Sequence, residues 1–329
     1  MSTRLRSAVF VTAALLGWQS GSPVLAQTSS PATETPTAKA APPKPAMVAP
    51  KQFTSAEDAA QAFVSALRSN DTKALLTILG SEARPLVASG DPVADRHARE
   101  RFLEWYDKAN RLEASGNATV LRIGEPDWPF PIPLTKDRDR WRFDVRRGRE
   151  EIIARRIGRN ELHTMQTVLA YVDAQREYYA EDRNGDGILE YAQQFKSTPG
   201  KRDGLYWATK ADEPPSPLGD LVVNAHGKGY RLARDGAPAP FNGYLFRILT
   251  AQGPAARDGA YDYIVRGHMI AGFGLVAHPA QYGVSGVMTF VVNHDGIVYQ
   301  KDLGPTTGTI VTTMRRFNPD KSWSKVDVP

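Results

Sequence analysis

Cysteine is absent from the 329-residue chain. That excludes disulfides, thiolate metal sites, iron–sulfur clusters, a cysteine nucleophile and a lipidated N-terminal cysteine. Long hydrophobic runs are absent too: none reaches the ~18 residues that span a bilayer. A strong charge imbalance is also lacking. The formal +5 over 41 basic and 36 acidic residues is too mild for a dedicated nucleic-acid binder. Complete catalytic motifs are missing as well. Gly283-Val284-Ser285-Gly286-Val287 starts like a nucleophile elbow but ends in Val where Gly is required. Ser322-Trp323-Ser324-Lys325 satisfies S-x-x-K without the S-D-N and K-T-G partners of that site. The six histidines include no H-E-x-x-H pair, and Gly200-Lys201 and Gly227-Lys228-Gly229 have no P-loop frame. Asp95 and His97 are neighbours in a polar stretch, with nothing to hold them as an acid–base pair.

The N-terminus reads as an export signal. Arg4 and Arg6 precede an apolar stretch from Ala8 to Trp18, and Pro23-Val24-Leu25-Ala26 supplies a small-residue cleavage site. Residues 1–26 are therefore expected to be removed, leaving an exported chain, periplasmic or secreted, with no transmembrane span. Residues 27–52 alternate Pro31, Pro36, Pro42, Pro43, Pro45 and Pro50 with Ala, Thr and Ser. They lack the apolar content to offset their ordering entropy and are expected to be a disordered tether.

Helical text begins at residue 53. Thr54 or Ser55 caps a helix carrying Ala59, Ala60, Phe63, Val64 and Leu67. Asn70-Asp71 breaks it and caps a second with Leu75, Leu76, Ile78 and Leu79, ending before Gly80. A third helix is predicted over residues 95–114, followed by strands at 118–123, 131–134 and 140–145. Helices followed by an antiparallel sheet predict an α+β domain over residues 53–147. The text "AFVSALRSNDTKALLTIL" with the later "DRWRFDV" resembles the NTF2-like cone, which implies a sheet bent around a pocket.

The longest helical stretch is predicted over residues 148–181, with Ile152, Ile153, Leu162, Val168, Leu169 and Val172 as apolar positions. Its text runs into "AEDRNGDGILEYA". Asp182, Asn184 and Asp186 are spaced by two, and Gly187 stands sixth, as in the opening of an EF-hand loop. Ile188 would add its carbonyl, and Glu190 stands ninth. The twelfth position is Gln193 rather than the bidentate Glu, so a Ca2+ site here would be weak, suited to millimolar calcium. A tight Asx/Gly turn in water accounts for the same residues.

Strand-like runs recur at residues 243–249, 261–265, 272–277, 286–292 and 297–299, with Asn293-His294-Asp295-Gly296 as a turn between the last two. One antiparallel sheet with the long helix packed on it is predicted for residues 148–329. The text "PFNGYLFRILTAQGPAARDGAYDYIVRGHMIAGFGLVAHPAQYGVSGVMTFVVNHDGIVYQKDLG", with the upstream "GDGILEYAQQFKSTPGKRDGLYW", resembles the uncharacterised bacterial secreted family catalogued as domain of unknown function 2950. That resemblance implies export and architecture, not a reaction. Gly243, Tyr244, Phe246, Ala277, Pro279, Gly286, Phe290, Gly296, Val298 and Tyr299 also resemble the strand text of pilin and pseudopilin soluble domains. There is no prepilin-type apolar helix to pack a filament, so this resemblance implies a pilin-like module standing alone.

Together these features lead to an exported, non-catalytic envelope interaction protein, calcium-stabilised through the Asp182 loop, with an unknown envelope protein or polymer as partner and no nucleic acid. The alternative is a small-molecule-binding or hydrolytic protein using a pocket in the NTF2-like segment. A basic run between Lys136 and Arg159 is either a site for an anionic polymer or a solvated face with internal pairs.

Overall fold

A computed structural model describes residues 48–210, 212–231 and 239–327. The expected signal peptide, and the tether up to residue 47, lie outside the described residues. The last residues of the expected tether are attached. Val48 and Ser81 bond through their main chains, the Lys51 N–H donates to Thr77 and Ile78 carbonyls, and Phe53 pairs with Trp141. Gly80, at φ +84°, leaves room for Pro50 at this crossing; a Cβ there would stand 3.0 Å from the proline ring.

Helix α1 (Ala56–Arg68) is capped by Ser55, whose side chain accepts the Asp58 N–H. Helix α2 (Thr72–Leu79) is capped by Asp71 through the Ala74 N–H. A short α3 (Arg84–Val87) leads to α4 (Pro92–Lys108). Asp91 caps α4 with one oxygen, accepting from Val93 and Ala94 N–H groups. Its other oxygen accepts from Tyr230 Oη at 3.0 Å and Gly243 N at 2.8 Å, which ties this cap to the second half of the chain.

The helix predicted over 95–114 stops at Lys108. Residues 110–115 form strand β1 (Asn110–Ser115), which turns at Gly116 and pairs antiparallel with β2 (Ala118–Ile123). The apolar residues there fit a helical period over a short window, but pairing with β2 along all six residues holds the segment extended. Strands β3 (Trp128–Pro129), β4 (Leu134–Asp137) and β5 (Arg140–Phe143) complete an antiparallel sheet in the order β1-β2-β4-β5, with β3 also on β2. Phe63, Leu75, Leu79, Leu121, Ile123, Leu134 and Phe143 form the first core.

Helix α5 (Val145–Tyr179) runs through 35 residues. At Gly148 it presses against the Pro131 carbonyl so closely that any Cβ would collide with it. Its second half packs Val168, Tyr171 and Val172 into another core with Leu275, Phe290 and Val292. Helix α6 (Gly219–Gly227) adds Val222 to that core. Next come β6 (Tyr244–Leu249), β7 (Ala251–Gln252), β8 (Tyr261–Asp262), β9 (Ile264–Val265), β10 (His268–Met269), β11 (Gly274–Pro279), β12 (Met288–Asn293) and β13 (Tyr299–Asp302). Helix α7 (Thr307–Thr313), β14 (Arg316–Phe317) and β15 (Ser324–Lys325) close the chain.

The main sheet is antiparallel in the order β15-β13-β12-β11-β6. Along β11, Leu275 and Ala277 face the α5 side, while Val276 joins Val291, Val311 and Phe317 in a third core on the opposite face. Both faces are covered, which is why β11 and β12 read as continuous apolar runs rather than alternating ones. The strand predicted over 261–265 is divided at Tyr263, whose N–H donates to the Thr250 carbonyl and whose carbonyl accepts the Ala271 N–H, so that the chain changes partners there. β8 joins β7 and β14 in a small three-stranded sheet, and β9 forms a two-stranded sheet with β10. The architecture is α+β throughout, and no helix among the described residues is long and apolar enough to cross a membrane.

Candidate metal centre

Where α5 ends, the chain enters the loop of residues 182–193. Buried Gln175 fixes its far end. The Gln175 side-chain oxygen accepts the Ala192 N–H at 2.8 Å, and its amide donates to the Ala192 carbonyl at 2.8 Å and to Tyr171 Oη at 2.9 Å. Tyr179 and Tyr191 stack at 4.5 Å across the loop. The Tyr191 N–H donates to the Met269 carbonyl, which docks the loop on the β9–β10 hairpin.

Asp182 organises the turn. One oxygen accepts Gly185 N–H at 2.8 Å and Asn184 N–H at 3.3 Å; the other accepts Gly187 N–H at 2.8 Å. The bonds from Gly187 and Gly185 hold its carboxyl below the ordinary aspartate value of 3.8. Gly185 and Gly187 both take positive φ, which other residues adopt at a cost. This is the Asx/Gly turn, and it also directs the remaining oxygen-bearing side chains to one side.

On that side Asp186, Glu190 and His268 each bring one ligand atom to within 4.8 Å of the others. His268 Nδ1 lies 3.1 Å from Glu190 Oε2 and 3.7 Å from Asp186 Oδ2. The Asn184 amide sits between the carboxylates and donates to Asp186 Oδ2 and Glu190 Oε1, both at 2.9 Å. Of the six residues read as ligands, Asn184, Asp186 and Glu190 come together. Asp182 spends both oxygens on backbone N–H groups. Ile188 donates its N–H to Asp186, and its side chain is exposed. Gln193 turns to the hairpin, donating to the Gly267 carbonyl at 2.7 Å.

In the sequence His268 flanks a strand-like run, as a structural polar residue does, 78 residues downstream of Glu190. No local spacing signals it; only docking of the hairpin on the loop places the imidazole there. Two carboxylates and an imidazole are groups that could hold a divalent cation, whereas Asn184 presents its NH2 to the carboxylates and keeps its oxygen on the Asp186 N–H. Oxygen donors suit calcium, and the ring nitrogen suits manganese or zinc.

The other candidates stay apart. Asp95 accepts the Ser89 N–H, whereas His97 lies between Glu100 and the Lys228 carbonyl. Ser285 Oγ donates back to Gln281 O within its own turn, and Ser322 Oγ accepts from Lys301. Phe63, Phe102, Phe130 and Phe143 fill the interior of the first core with ring centroids 5.2–5.5 Å apart. Much of the basic run is engaged internally: Arg146 with Glu82, Arg147 with Asp144, Arg155 with Glu151, and Arg156 with the Pro85 and Leu86 carbonyls.

A family model described as a protein of unknown function (DUF2950) matches residues 50–326. No curated protein and no solved structure matches the chain.

Proposed function

The chain belongs to the DUF2950 family of unknown function, and we propose that it is an exported, non-catalytic interaction protein of the cell envelope, stabilised by a divalent cation at the Asp182–Gln193 loop. The observation that carries the cation is the convergence of Asp186, Glu190 and His268 from two separate elements. Export rests on the Arg4–Ala26 signal text. The incomplete motifs and the separation of Asp95 from His97 favour a binding role over a hydrolytic one.

In this reading the first segment is an NTF2-like cone filled by its own phenylalanines. That filling is why the alternative, a pocket in the cone, is set aside. The second segment is a pilin-like spine and sheet; α5 lying along β11 and β12 supports it. The cation would join the end of the spine to the β9–β10 hairpin, with Asp186 and Glu190 as ligands and Asn184 turning its amide oxygen inward.

Thermal unfolding in EDTA and then with calcium, manganese or zinc tests this. A cation at a hundred times its Kd adds about 2.7 kcal/mol of stability. That gain should vanish in Asp186→Asn/Glu190→Gln, a pair chosen to keep the turn built by Asp182. His268→Ala separates the two cation classes: it leaves a calcium effect intact and removes a manganese or zinc effect. No shift with any cation at several millimolar would reduce the loop to a turn.

A further inference from the structure

Away from the loop, two hollows meet at a rim formed by Lys196, His226 and Arg231. The inner hollow, of about 310 Å³, lies between α5, α6 and the main sheet. Tyr171, Phe195, Leu221, Val222, Phe241 and Leu275 contribute its apolar wall. The hydroxyls on that wall are already committed. Thr167 Oγ1 donates to the His163 carbonyl at 2.8 Å, Tyr171 Oη to the Gly274 carbonyl at 3.2 Å, and Tyr230 Oη to Asp91 at 3.0 Å. The interior therefore offers a guest contact but little polar recognition.

The outer hollow has the opposite character. Lys196, Lys201, Arg202 and Arg231 line it against one carboxylate among the described residues, Glu213. All four cations are exposed, and among the described residues none is held in an ion pair. Arg202 lies over the Trp207 ring at 5.5 Å, which keeps its guanidinium at the groove. Arg231 donates through Nη1 to the His226 and Tyr230 carbonyls, at 3.1 and 2.7 Å, which fixes its guanidinium at the rim. An apolar chamber opening on a row of cations that lack carboxylate partners among the described residues selects for two properties in one molecule. The tail must be apolar, because the hydroxyls of the chamber wall are committed and, of its polar side chains among the described residues, His226, Lys196 and Arg231 stand at the rim. The head must be anionic, because the rim supplies charge of one sign.

We propose that this paired site binds a free, single-chain anionic amphiphile, with its alkyl or arylalkyl chain in the inner hollow and its carboxylate, sulfate or phosphate on Lys196 and Arg231. Size decides between one chain and two. Small-molecule pockets run from ~300 to ~1,000 Å³, and this chamber sits at the lower bound, too small for both tails of a phospholipid. The proposal stands apart from the cation reading, since no residue of the Asp182 loop lines either hollow.

Isothermal titration of the purified chain in calcium-free buffer tests it. The probes are dodecanoate, dodecyltrimethylammonium and vesicles rich in phosphatidylglycerol. Dodecanoate should bind saturably, one per chain, and the cationic probe with the same tail should not. Lys196→Glu/Arg231→Glu, both on the surface, should weaken dodecanoate roughly tenfold to hundredfold, the range of one or two charge-assisted hydrogen bonds. Ala225→Trp, on the α6 side of the chamber, should abolish binding while the circular dichroism spectrum stays that of the parent. Equal binding of the two probes would overturn the assignment of the rim, and unchanged dodecanoate binding in Ala225→Trp would overturn that of the chamber. Binding to vesicles without saturable binding of dodecanoate would replace the proposal with a membrane-surface contact.

Discussion

Replacing Gln175 by Met keeps the length and most of the volume of the side chain and deletes every hydrogen bond it makes. Three are lost: one from the Ala192 N–H, one to the Ala192 carbonyl and one to Tyr171 Oη. Gln175 is fully buried and Ala192 is 1% exposed, so solvent does not reach the abandoned groups without opening the site. A buried group left unsatisfied costs about 1–3 kcal/mol. Two are stranded on Ala192, while Tyr171 keeps its bond to Gly274. The expected loss is therefore about 2–5 kcal/mol, with part of the upper end offset by the apolar methionine. At roughly 2–4 °C per kcal/mol, Tm should fall by about 5–15 °C. Urea unfolding followed by near-ultraviolet circular dichroism reads the change, with an unaltered slope against denaturant confirming that the folded state keeps its compactness. A loss below about 1 kcal/mol would refute the reasoning. It would mean that the loop exit is held by its contacts with the β9–β10 hairpin, and that Gln175 only fills space.

Further perturbations test other joints. Gly148→Ala forces a Cβ into the Pro131 backbone and should cost about 1–3 kcal/mol or more in urea unfolding, whereas Gly158→Ala, where a Cβ meets open space, should be neutral or stabilising. Ser55→Ala removes the cap that accepts the Asp58 N–H and should cost about 0.5–2 kcal/mol by the same measurement. Burial raises the Asp95 carboxyl above its ordinary 3.8, against the Ser89 hydrogen bonds and the nearby Arg156 and Arg99 charges. A raised carboxylate pKa marks an ionised form disfavoured in the folded state, so the penalty is present at neutral pH and is relieved as pH falls through the folded pKa. Asp95→Asn should therefore gain stability at pH 7, with the gain shrinking toward pH 4; a constant difference across that range would show that charge is not the cause.

Elements whose cause lies within a few residues were legible in the sequence. The Ser55 and Asp71 caps, the long apolar period of α5 and the alternation of Trp141 and Phe143 in β5 are local signals. So is the Asp182 turn, because Asx chemistry and two glycines act within six residues. What escaped depends on partners far along the chain. β1 reads as helix until β2 is beside it. The break at Tyr263 follows from a change of backbone partners, from Thr250 to Ala271, that only the folded sheet creates. His268 carries no mark of its position beside Glu190, and the hollow between α5, α6 and β11 has no counterpart in any window of sequence.

Helix α5 belongs to two cores and to neither in its middle. Ile152 is its last apolar residue packed on the first core, and Met165 is its first on the second. Between them Ile153, Ile157 and Leu162 join neither, and Gly158 lowers helical propensity by about 1 kcal/mol relative to alanine. A continuous helix is thus energetically two helices end to end. Parting them at the centre sacrifices a few backbone bonds and strains the Arg156 bonds to the Pro85 and Leu86 carbonyls, but it gives up no apolar burial in either core. Amide hydrogens from Ile153 to Arg159 should exchange with solvent faster than those on either side, and the two halves should open as separate cooperative units along an unbroken rod. A ligand or cation bound by the second half would then slow exchange from Asn160 onward more than in α1 and α2, with the N-terminus of α4 the exception because Asp91 is bonded to Tyr230 and Gly243.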